Sequence, residues 1–210
     1  MSEKEKVLQQ ISDIKNHLVD KEMFFPYNYN AFHVWSVITV ILTFVMMPAY
    51  EKDILIGTVV TFVLLSIGFI VEGTLIKREN KSYDINDCTK KQQFIVKNFL
   101  LLSLFGILFS IVLASLQLYS VIFLLWLFLV SIGQLAVGFV LNMKDLENIS
   151  QFNIIMVFIL LGLGIYFNIL QNEILFLHVT QAMVILGLAV LPSLFAFKLQ
   201  KEERVKACGV

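Results

Sequence analysis

Apolar positions along this chain gather into six long runs, residues 31–50, 54–76, 98–118, 119–141, 151–169 and 174–197, with short polar breaks between them. A bilayer core of about 30 Å is crossed by about 20 apolar residues in a helix. The pattern therefore predicts an all-α, polytopic membrane bundle of six transmembrane helices. A different period precedes them. Val7, Ile11, Ile14 and Leu18 form one stripe on an otherwise charged segment, which predicts a cytoplasmic amphipathic helix over residues 3–22, ended by Pro26. Such a helix can lie on the inner leaflet or dock under the bundle, and its two heptads are too few for a coiled coil by themselves. The expected organisation is thus an N-terminal helix in residues 1–26, a membrane domain in 27–198 and a tail in 199–210.

The polar breaks orient the bundle. Of 16 Lys and Arg residues, only Lys52 falls in a connection on the side opposite the termini. The positive-inside rule then predicts a multi-pass protein of the cell membrane, with both termini and residues 77–97 in the cytoplasm. On that side Cys88 and Cys208 are not expected to form a disulfide, and the Asn80 and Asn148 glycosylation patterns are not expected to be used. The first apolar run is too long for a signal-peptide core, so it is expected to remain as the first span. Thr89 and Gln92 have capping-box spacing, so the third helix is expected to begin in the long cytoplasmic connection. Phe24, Phe25, Tyr27, Tyr29, Phe32 and Trp35 fit an aromatic belt at the inner interface.

One motif recurs. Residues 64–73 (LLSIGFIVEG) return loosely as 129–138 (LVSIGQLAVG) and more faintly as 183–192 (MVILGLAVLP), as if one helical hairpin had been written three times. Gly and Ser also recur simply because they let helices approach closely. Gly68 and Gly73 are about 140° apart around the helix, so they do not form one GxxxG seam.

Candidate chemistry is sparse. Glu72 is an intramembrane carboxylate about one turn inside the end of span two, a costly placement that marks a functional candidate. A structural pairing with His33, Lys77 or Arg78 is the alternative. Gln134 lies deeper, in span four, and shares a face with Ser131 and Gly138. An interhelical hydrogen bond competes there with substrate binding. His33 and His178 are expected near opposite faces, so they make no shared metal or haem site, and no cofactor is expected. Asn153 and Asn168 are expected at the ends of span five, and Pro192 is expected to kink span six. No Gly-x-Ser-x-Gly, HExxH or Walker sequence is present, nor a Cys pair with metal spacing.

Composition agrees with a membrane location. Hydrophobic residues make up 58% of the chain and charged residues 15%, where a soluble domain carries about a quarter charged. The formal net charge is zero, which gives no support to nucleic-acid binding. Expected partners are the lipid bilayer and a protein docking at residues 3–22 or 77–97. In architecture, carried by the charge pattern and the Ile11/Ile14/Leu18 stripe, the chain resembles uncharacterised small six-span bacterial integral membrane proteins. The resemblance implies location and fold, and a non-enzymatic role through helix packing or partner binding. It is also similar to six-span permeases of ABC exporters, with an entry helix and a loop after span two in matching places. That likeness implies a transport component needing a separate ATPase. The chain departs from those permeases between spans five and six, where it has only a few residues.

Overall fold

The computed structural model describes residues 30–83, 89–141, 143–170 and 174–208. The expected amphipathic helix at 3–22 and aromatic residues 24–29 lie outside them. The described chain is all-α: α1 (Asn30–Lys52), α2 (Ile54–Tyr83), α3 (Thr89–Ser115), α4 (Tyr119–Leu141), α5 (Lys144–Tyr166) and a sixth rod. That rod consists of α6 (Ile174–Val184), a π-helical stretch (Ile185–Val190) and α7 (Leu191–Cys208). All six are long and apolar enough to cross a membrane, as in a multi-pass membrane protein.

Two boundaries move from the expected ones. The fifth helix starts at Lys144, seven residues before the apolar run, because its first turn includes Asp145 and Glu147. Carboxylates are stabilised at a helix N-terminus, so a charged segment outside the hydrophobic window still belongs to the helix. The third helix begins at Thr89, where the capping-box spacing placed it.

The connections opposite the termini are tight for identifiable reasons. Asp53 alone separates α1 from α2, and its Oδ1 accepts from the N–H groups of Leu55 (2.7 Å) and Ile56 (3.3 Å), capping α2. After α3, Gln117 takes a left-handed conformation (φ 56°). Leu118 N–H then reaches the Leu113 carbonyl (2.9 Å) and Gln117 N–H the Ala114 carbonyl (3.0 Å), a Schellman ending. Asn168 (φ 53°) repeats it after α5, with Ile169 N–H on Gly164 (3.0 Å) and Asn168 N–H on Ile165 (3.1 Å).

The helices α1, α2, α3, α4 and the sixth rod touch in a closed ring, and α5 packs outside it against α4 and the rod. α4 is the hub: half of its most apolar window is buried, against 11% for α3. Near the turns opposite the termini the ring is filled by Tyr50, Ala114, Ile122, Phe123, Leu127 and Phe176. At the terminal side a second cluster of Met143, Leu146, Phe195 and Ala196 closes it. Side chains such as Phe44, Leu55, Leu101 and Phe139 point outward, where lipid chains would meet them.

The threefold motif has a packing counterpart. Gly68 lies under the Trp35 ring, Gly133 under Phe99 and Gly187 against Asn153. In each hairpin the packed residue precedes its glycine by 33 or 34 positions, on the preceding helix. A Cβ at any of the three would come within 2.5–2.7 Å of that partner, so each glycine is a point of close helix approach.

Candidate functional site

Between the two apolar clusters the ring borders a partly open cavity of about 140 Å³. Its wall is mainly aliphatic and aromatic, with Ile38, Leu42 and Met46 from α1, Leu65 and Phe69 from α2, Phe99 from α3 and Leu188 from the rod. The polar groups on it include Glu72, Gln134, Thr39, Thr43 and Ser103. Two of the three candidate residues, Glu72 and Gln134, therefore share one cavity, and His33 lies beside it.

Glu72 sits on α2, about 9 Å along the helix from the end of that span at Arg78, at 1.5 Å per residue. Its Oε2 accepts from Trp35 Nε1 at 2.9 Å. Two expectations change here. Trp35 is a partner that the expected pairing with His33, Lys77 or Arg78 did not include, and Lys77 and Arg78 are exposed. Trp35 and Phe32 also face inward instead of forming a belt. Trp35 packs edge-on to Phe69 (5.1 Å) over Gly68, and Phe32 packs edge-on to Phe195 (5.9 Å). An indole presents the same composition to a belt and to a core, and only the facing glycine and carboxylate distinguish the two.

Gln134 is 8% exposed, and its Oε1 has no hydrogen-bond partner among the described residues. Oε1 thus makes no interhelical bond to a described residue. A buried acceptor left unpaired costs about 1–3 kcal/mol, so this one calls for an explanation. Ser131, one turn earlier on the same face, is fully buried, and its Oγ also has no partner among the described residues.

His33 turns the other way, to the sixth rod. Its Nδ1 is 3.3 Å from Ser193 Oγ, and its ring lies 4.5 Å from that of Phe197. Ser193 Oγ is 2.8 Å from Ser36 Oγ, which is 2.9 Å from the Ala189 carbonyl and 2.8 Å from that of Phe32. Proton counting gives this chain a direction. Ser36 has one hydroxyl proton and uses it on a carbonyl, so Ser193 donates to Ser36 and His33 Nδ1–H donates to Ser193. The imidazole then cannot take a proton from Ser193 through Nδ1, and the serine–histidine contact is not an activated nucleophile. His33 Nε2 is buried, with no hydrogen-bond partner among the described residues. His178 is exposed, with Nδ1 2.6 Å from its own helix's Ile174 carbonyl.

The π-helical stretch explains the polar groups around it. Proline has no N–H, so Pro192 cannot serve the carbonyl five residues back, Gly187, in a π turn. Asn153 Nδ2 donates to that carbonyl instead, at 3.1 Å, while Ser36 serves Ala189. Asn153 is fully buried and not interfacial, because α5 begins early enough to carry it to mid-helix. Pro192 thus acts through this change of helical pitch. Among the described residues no group of three or more His, Cys, Asp or Glu side chains could hold a metal.

Comparisons with protein-family models, with curated proteins and with solved structures gave no match.

Proposed function

We propose that the chain is a non-enzymatic protein of the cell membrane that acts through its helix bundle and a bound partner, with both termini in the cytoplasm. The observation that carries this reading is where the interior polar groups go. Trp35 to Glu72, Asn153 to Gly187, Ser36 to Ala189, Gln181 to Thr43 (3.3 Å) and Trp126 to Ser110 (3.0 Å) each tie one helix to another. Such bonds fix a bundle and are worth on the order of 1 kcal/mol each in a membrane. The orientation rests on the 15 basic residues that share the terminal side.

Affinity purification from native membranes in a mild detergent tests the role. The expected result is recovery of the chain without a stoichiometric ATPase. Co-purification of an ATPase at equal stoichiometry would replace this reading with that of a permease subunit.

Orientation has its own test. The chain has two cysteines, Cys88 and Cys208. In intact cells a membrane-impermeant maleimide is expected to leave both unlabelled and to label Asp53→Cys or Gln117→Cys, whose positions are exposed in the opposite turns. Labelling of the native cysteines before lysis would reverse the assignment.

A further inference from the structure

We propose that the amphipathic segment at residues 3–22 docks on its own bundle, laying its Val7/Ile11/Ile14/Leu18 stripe across the terminal-side mouth of the central cavity. This goes beyond the bundle role above, because it assigns the cavity its cover. The change of exposure along the wall locates the mouth. Met46, Leu65, Phe123 and Val184, farther from the termini, are buried. Phe32, Glu72, Ile95 and Val137 line the same cavity and are only half-buried. They come one each from α1, α2, α3 and α4, and each lies within about two turns of the terminal-side end of its span. The second apolar cluster fills the neighbouring ground between α5 and the sixth rod.

Reach and charge select the segment. Residues 19–29 link Leu18 to Asn30, the first residue of α1, and Phe32 of the rim is two positions further on. At about 3.3 Å per extended residue that linker reaches any point of the rim. As a helix, Val7 to Leu18 covers about 16 Å, the breadth of two neighbouring helices at about 8–10 Å apiece. A short tether also holds the stripe at roughly millimolar effective concentration, which favours it over a free partner. Charge separates the bundle from the lipid surface as the docking ground. Residues 3–22 hold five acidic and four basic side chains. A helix lying on an anionic leaflet is rich in Lys and Arg on its polar face, and this one is not. The bundle offers the complement. Lys77, Arg78 and Lys97 are exposed on the terminal side of α2 and α3, and Glu72 is the one acid among the described side chains of those two helices.

Crosslinking of the full-length protein in lipid nanodiscs tests the docking. In a background of Cys88→Ser and Cys208→Ser, Ile14→Cys is paired with Ile95→Cys and, as the distant control, with Gln117→Cys. A short bismaleimide is expected to link the first pair within one chain and to leave the second unlinked, as read by mass spectrometry. With Ile95→Cys as the sole cysteine, adding Ile11→Asp and Leu18→Asp is expected to raise its labelling by a water-soluble thiol reagent about tenfold, the ratio for a mouth covered about nine-tenths of the time. That second measurement decides the matter if the paired variants do not fold. Labelling unchanged by the two Asp substitutions would overturn the proposal. So would links between two chains, which would assign the stripe to a second copy. Quenching of a fluorophore on Ile14→Cys by nitroxide lipids, with no link to Ile95→Cys, would assign it to the leaflet and overturn the proposal as well.

Discussion

Gly187→Val is expected to destabilise the bundle by about 2–4 kcal/mol, combining an overpacked interface with one lost interhelical hydrogen bond. A Cβ at Gly187 would stand 2.5 Å from Asn153 Oδ1 and 2.9 Å from Leu127 Cδ1. Leu127 is fully buried in the hub helix. Asn153 would have to move, and its bond to the Gly187 carbonyl would be lost with it. Because Pro192 offers that carbonyl no N–H, nothing in the rod replaces the donor. Denaturation of the purified protein by sodium dodecyl sulfate, followed by far-UV circular dichroism, measures the change. If the clash is the cause, Asn153→Ala should recover part of the loss when combined with Gly187→Val. Unaltered stability of Gly187→Val would show that α5 and the sixth rod are not in contact at this level.

A comparable loss is expected at the Trp35–Glu72 pair. Trp35→Phe keeps an aromatic ring over Gly68 but removes the Nε1 donor, and a hydrogen bond to a charged group is worth about 1.5–3 kcal/mol. Glu72→Gln keeps the shape of the acceptor and removes the charge, with an expected cost of about 1–3 kcal/mol. The two substitutions should not be additive: a double-mutant cycle is expected to show a coupling of at least about 0.5 kcal/mol, as residues in one hydrogen bond do. Additive effects would mean that the 2.9 Å contact contributes nothing to folding. Full stability of Glu72→Gln would shift Glu72 from holding α1 and α2 together to a different role in the cavity.

The six spans were legible because run length alone announces a membrane helix, and no tertiary contact is needed to see it. The same measure misplaced the start of α5. Hydropathy scores Lys144, Asp145 and Glu147 as loop, whereas the backbone favours carboxylates in a first turn. That error carried Asn153 to the interface, although it lies at the centre of the packing. Glu72 and Gln134 stood out because polar groups are rare and costly among apolar ones. Their environments did not, since which helix faces which is decided by contacts the sequence records only indirectly. The recurring Ser-Ile-Gly was the best clue of this kind. It marked Gly68 and Gly133, and the aromatic partners 33 and 34 residues earlier could have been sought from it. The π-helical stretch also left a trace in Pro192, which signals a missing donor but not which carbonyl loses it.

Asp53, the single residue between α1 and α2, gives the bundle a mechanical character. With no slack at that turn, the two helices cannot slide along each other, so their remaining freedom is to swing as a lever about that joint. A lever of 23 residues is about 34 Å long, and a tilt of 5° displaces its far tip by about 3 Å. The pivot end would hardly stir, while Trp35 and Glu72, near the swinging tip, would sweep most of that arc.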